Sequence, residues 1–104
     1  MKNILVTGCA GFIGFHISKK LLERNYFVIG IDNLNSYYDK RLKLKRLELI
    51  KNTSKKINLK NNWIFFKEDI KNFSRLNKIF KKFKPTCVIN LAAQAGVRYS
   101  LKKP

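Results

Sequence analysis

Gly8, Gly11 and Gly14 stand three residues apart between two stretches of different periodicity, and nothing else in the sequence restricts the fold as tightly. Before them, Met1 to Thr7 holds the contiguous apolar run Ile4, Leu5, Val6, which suits a strand buried on both faces. After them the spacing turns helical. From Phe12 onward, Ile13, Ile17 and Leu21 recur every four residues with Leu22 alongside. Arg24 and Asn25 then supply a basic last turn and a residue tolerant of a left-handed helix cap. The segment reads as strand, glycine turn, helix. Lys2 followed by the apolar run from Ile4 to Ile17 resembles a secretory leader in outline, but three glycines interrupt the helix that a leader needs.

The same alternation continues. Phe27, Val28, Ile29 and Ile31 predict a second buried strand ending at Asp32, and Asn33 to Asp39 reads as a loop. A helix is expected over Lys40 to Lys51, while Asn52 to Asn62 is polar and takes no assignment. Trp63, Ile64, Phe65 and Phe66 form a third strand leading into Glu68 and Asp69. Asn72 or Ser74 can cap the next helix, in which Leu76, Ile79, Phe80 and Phe83 fall at i, i+3, i+4 and i+7 until Pro85 stops it. Cys87 to Leu91 is the fourth strand. Short apolar strands alternating with helices imply right-handed βαβ units and a parallel sheet. The expected class is α/β, the N-terminal part of a Rossmann-type doubly wound sheet with about four strands and three helices. All of 1–104 is expected to form one partial domain.

The 104 residues carry a net charge of +17, which raises nucleic acid or an anionic membrane as partners. The distribution argues otherwise. Eighteen of the basic residues are Lys and five are Arg, spread along the chain together with eleven Asn. The densest stretch, Lys40 to Lys60, interleaves Leu42, Leu44, Leu47, Leu49, Ile50 and Ile57, as a solvated helix face over a buried one would. The expectation is no specific nucleic-acid partner and no membrane partner, since no apolar span of about twenty residues exists. Cys9 and Cys87 show no metal-ligand spacing, and two isolated thiols fit a reduced, cytoplasmic compartment.

The glycines gain chemical meaning from their context. A dinucleotide pyrophosphate needs a tight turn, close backbone approach and a helix set near its strand, which three glycines supply in order. Free N–H groups at the helix start then face the phosphates, aided by the helix dipole. Asp32 lies eighteen residues beyond Gly14, where a carboxylate can accept both adenosine ribose hydroxyls. It disfavours a 2′-phosphate, and no basic residue between Asp32 and Lys40 offsets that repulsion, so NAD is expected over NADP.

These residues resemble a known family. Thr7-Gly8-Cys9-Ala10-Gly11-Phe12-Ile13-Gly14 looks like the fingerprint of the extended short-chain dehydrogenases, the NAD-dependent epimerase and dehydratase family. Asp32 to Asp39 and Ala92 to Ser100 are similar to the UDP-glucuronate 4-epimerases within it. The resemblance implies cofactor contacts at Gly8, Gly11, Phe12, Ile13 and Gly14, at Asp32 and Asn33, at Asp69 and Ile70, and at Leu91, Ala92 and Ala93. It places Gln94, Val97, Arg98 and Ser100 beside the nicotinamide and a UDP-sugar substrate, and implies a homodimeric full-length enzyme. Asn90 stands where the family usually has His. The family's catalytic Tyr-x-x-x-Lys would fall beyond residue 104, so no catalytic residue is assigned, and the chain alone is expected to be inactive. Tyr99 and Lys103 match that spacing, but in a loop after the fourth strand rather than on a helix after a fifth. The reading from a different class is a freestanding basic module that binds nucleotide or RNA.

Overall fold

The computed structural model describes residues 2–34, 40–58 and 62–91. In chain order the elements are β1 (Asn3–Thr7), α1 (Phe12–Glu23), β2 (Phe27–Asp32), α2 (Lys40–Asn58), β3 (Trp63–Lys67), α3 (Phe73–Phe83) and β4 (Cys87–Asn90). All strand pairs are parallel, in the order β3-β2-β1-β4. The sheet grows from β1 outward through β2 to β3, then crosses back so that β4 lies on the other side of β1. That reversal makes a topological switch point between β1 and β4, the place where open α/β sheets bind ligands in a crevice at the carboxyl ends of the strands.

Alternation along each strand divides the core between two layers. Ile4, Val6, Val28 and Trp63 join Phe15 and Leu22 of α1 and Ile50 of α2 on one face. Leu5, Ile29 and Ile31 join Ile79 of α3 on the other, bordered by Leu76 and Phe83. Strands covered on both faces must be continuously apolar, which is why β1 and β2 lack the polar alternation of a half-exposed sheet. α3 begins as expected, with the Asn72 side chain accepting from Arg75 N–H, and ends at Lys84 in the left-handed conformation before Pro85. Asn25, just past α1, has φ 67° and closes that helix in the expected way. Among the described residues, no helix is long and apolar enough to cross a membrane.

Two expectations change. α2 runs to Asn58, beyond the expected end at Lys51, because no Gly or Pro interrupts the polar stretch that follows. Its inward face also has a different phase. Leu42, Leu44 and Leu49 are exposed by more than two fifths, whereas Lys43, Ile50 and Ser54 are buried. The inward line is therefore 43, 47, 50 and 54, so that of the apolar residues in this stretch Leu47 and Ile50 face inward together with a lysine. Similarly, Phe80 of α3 stays 38% exposed, because Leu76, Ile79 and Phe83 face the sheet and Phe80 is rotated off that line.

Gly30 has a steric role that the strand pattern does not reveal. A Cβ there would lie 2.2 Å from the Trp63 indole and 2.8 Å from Cys9 Sγ, so the glycine leaves room for Trp63 to lie across β2. Gly30→Ala is expected to destabilise the chain by about 1–3 kcal/mol through overpacking and to red-shift Trp63 fluorescence, as checked by denaturant titration.

Candidate functional site

The turn from β1 into α1 engages its N–H groups in sequence. Gly8 N–H and Cys9 N–H donate to Ile31 O at 2.7 and 3.3 Å, Ala10 N–H to Asp32 Oδ2 at 3.0 Å, and Gly11 N–H to Gly8 O at 3.1 Å. Gly8 takes φ 71°, which a side chain would resist. At Gly14 a Cβ would lie 2.1 Å from Gly8 O, so only glycine lets α1 come this close to the end of β1. α1 opens at Gly11 with no side-chain cap and no acidic residue in its first turn. The first helical bond runs from Phe15 N–H to Gly11 O at 2.9 Å. Among the described residues, the N–H groups of Phe12, Ile13 and Gly14 have no protein acceptor. A helix start with three N–H groups available and a favourable dipole is an anion cradle.

Asp32, at the end of β2, is buried beside this cradle. Its Oδ2 accepts from Ala10 N–H, and its Oδ1 accepts from Leu34 N–H at 2.7 Å and from Lys43 Nζ at 3.2 Å. No basic residue lies between Asp32 and Lys40, but helix α2 brings the Lys43 ammonium to Asp32 from eleven residues downstream and so offsets part of the charge on which the expected rejection of a 2′-phosphate rested. Three residues further along α2, Arg46 donates to Ala10 O at 3.1 Å, and its guanidinium lies 5.9 Å from the Phe12 ring centre.

The other strand ends arrive at the same edge. Glu68 N–H donates to Asp32 O at 3.2 Å, which sets Asp69 and Ile70 next to the end of β2. Asp69 then shapes its own turn, its Oδ1 accepting from Lys71 N–H at 2.9 Å. Across the switch point, the Thr7 hydroxyl donates to Asn90 Oδ1 and accepts from Leu91 N–H at 3.1 Å. Asn90 therefore ties β4 to β1. The structure thus brings Gly8, Gly11, Phe12, Ile13, Gly14, Asp32, Asn33, Asp69, Ile70 and Leu91 to one edge of the sheet. Ala92, Ala93, Gln94, Val97, Arg98, Tyr99 and Ser100 lie outside the described residues.

Residues 5–104 match the family model for GDP-mannose 4,6 dehydratase. The chain belongs to the NAD-dependent epimerase and dehydratase family. It is 45% identical over 104 residues to a UDP-glucuronate 4-epimerase of Thermodesulfobacterium geofontis, and 46% identical over 102 residues to Protein CapI of Staphylococcus aureus. These alignments cover 100% and 98% of this chain but 30% and 28% of the relatives, so the chain spans less than a third of their length. Among solved structures, it matches a UDP-glucuronic acid 4-epimerase variant of Bacillus cereus in complex with NAD and a UDP-4-deoxy-4-fluoro-glucuronic acid. That match has TM-score 0.74 and 35% identity, and covers 91% of this chain and 27% of the other. A UDP-glucose 4-epimerase of Thermotoga maritima with UDP-glucose matches with TM-score 0.65 and 38% identity over 98% of this chain and 28% of the other. The α/β Rossmann-like fold read from the sequence is the fold of these relatives.

Lys43 and Arg46 are the site residues that sequence reasoning missed, because both sit in a stretch whose lysines look solvated. Positions 43, 47, 50 and 54 do form a helical line that ends on the small Ser54, but Leu42, Leu44 and Leu49 compete with it, so the sequence does not single it out. Cys9 is fully buried behind the turn, and burial, reinforced by the Asp32 carboxylate, raises its thiol well above the ordinary 9.0. Above that ordinary value the unfolded thiol ionises while the folded one keeps its proton. The folded state then binds more protons, and stability falls as pH rises. Native alkylation is expected to label the exposed Cys87 and spare Cys9, with both labelled in denaturant. The Cys9→Ala variant should lose the alkaline part of the stability decline, as measured by melting between neutral pH and pH 10.

Proposed function

We propose that residues 1–104 form the NAD-binding part of a nucleotide-sugar epimerase, most similar to UDP-glucuronate 4-epimerases. The observation that carries this reading is the set of unengaged N–H groups at Phe12, Ile13 and Gly14, facing out beside the Asp32 carboxylate at the carboxyl edge of a parallel sheet. The shape fits a dinucleotide: the cradle takes a pyrophosphate, a Cβ at Gly14 would collide with the turn, and Asp32 offers a ribose acceptor. Asn33 flanks the ribose, Asp69 and Ile70 border the adenine, and Leu91, Ala92 and Ala93 line the nicotinamide end. Gln94, Val97, Arg98 and Ser100 border the UDP-sugar. When bound, NAD supplies reversible hydride transfer at sugar C4. This chain's residues bind and orient the cofactor. General acid and base chemistry belongs to the family's Tyr-x-x-x-Lys, which has no counterpart on a described helix here. A cytoplasmic homodimer completes the reading, supported by the family resemblance and the cysteine usage.

Titration calorimetry with NAD tests it. Binding between roughly micromolar and submillimolar is expected, together with loss of binding in Gly14→Ala and no conversion of UDP-glucuronate by the chain alone. Absence of NAD binding at millimolar concentration overturns the reading.

Cofactor preference follows from the Asp32 pair. With Lys43 at 3.2 Å, the pair is close to neutral at a distance, so rejection of a 2′-phosphate rests on local contacts with Asp32 rather than on long-range repulsion. Asp32→Gly removes the acceptor and leaves the Lys43 ammonium unpaired. The NADP-to-NAD affinity ratio should rise by roughly tenfold or more, and the Asp32→Gly/Lys43→Met double variant should lose most of that rise.

A further inference from the structure

We infer that Arg46 is a positioning residue for the phosphate cradle, acting through the Ala10 carbonyl to keep the Gly14 N–H available to a pyrophosphate. The inference rests on the cofactor reading above and extends it to a residue on another element.

Ala10 O stands four residues before Gly14, the separation of an α-helical hydrogen bond. If that bond formed, α1 would lengthen by one residue toward the turn and would take up one of the N–H groups of the cradle. It does not form: Ala10 O accepts instead from Arg46 Nη1 at 3.1 Å. The peptide that joins Ala10 to Gly11 is held at both ends, its carbonyl by Arg46 and its N–H by Gly8 O at 3.1 Å. The preceding peptide is fixed through Ala10 N–H on Asp32. Arg46 is held in turn. Its guanidinium lies over the Phe12 ring, and it shares a face of α2 with Lys43, which is anchored on Asp32. A planar guanidinium can donate to a carbonyl and lie against a ring together, which a lysine ammonium does less well. A helix from outside the turn thus braces the peptide that leads into Gly11, whose extended backbone at ψ 172° makes it the N-cap of α1.

The test uses the 104-residue chain and its Arg46→Met and Arg46→Lys variants, with ADP, adenosine and NAD as ligands and amide exchange of Gly14 followed by NMR. In Arg46→Met, ADP and NAD affinity should fall by roughly tenfold, the worth of a charge-assisted hydrogen bond, while adenosine affinity stays within about twofold. Gly14 exchange should slow as Ala10 O takes its N–H. Arg46→Lys, which keeps a charged donor on a long stem, should recover part of both effects. Equal losses for ADP and adenosine, an ADP loss with unchanged Gly14 exchange, or an Arg46→Lys variant no better than Arg46→Met would each overturn the inference. Failure of the parent chain to bind NAD or ADP would instead overturn the cofactor reading on which it stands.

Discussion

The Asp32 carboxylate is where three elements meet. Burying an isolated carboxylate costs several kcal/mol, and the cost is offset only when its oxygens are well provided with donors. Here the donors come from the glycine turn through Ala10, from the chain after β2 through Leu34, and from α2 through Lys43. Each donor fixes its own element relative to the end of β2. The turn is held at the height that leaves the first N–H groups of α1 facing out, and α2 is held against the sheet at the phase that brings Arg46 to Ala10. Removing the charge would loosen an entire edge of the sheet rather than one contact.

The cradle therefore has two kinds of support. One is steric and local: Gly8 with its positive φ, and Gly14 with no Cβ to meet the Gly8 carbonyl. The other is electrostatic and long-range in sequence, through Lys43 and Arg46. Opposite them, Thr7 and Asn90 close the β1–β4 side of the switch point, with the Leu91 N–H held on the same hydroxyl. A dinucleotide spanning that crevice would meet a framework already fixed at both margins, which lowers the ordering cost of binding.

Net charge of +17 suggests a polyanion partner, yet the described cations show how poorly net charge predicts individual roles. Lys43 is buried in an ion pair and Arg46 is bonded to a backbone carbonyl, while Arg75 pairs with Glu68 beside the N-terminus of α3. Phase on a helix and proximity to a strand end separate these roles, and composition carries neither.

Periodicity and glycine spacing alone determined the class of fold, the strand and helix order, and the places of Gly8, Gly14 and Asp32. These are local constraints: a buried strand must be apolar throughout, a helix stripe must repeat near 3.6 residues, and a tight turn needs residues without a Cβ. The phase of α2 was not legible, since Leu42, Leu44 and Leu49 offer as much apolar surface as the line that is buried. Packing against α1 and pairing with Asp32 chose the line containing Lys43. Nor could Gly30 be read as a gap for Trp63, because the strand that carries the indole lies more than thirty residues away and reaches Gly30 only through sheet pairing. Arg46 at Ala10 is of the same kind. Contacts between residues distant in sequence depend on strand order and on the rotation of each helix about its axis, and both are settled only when the layers close on one another.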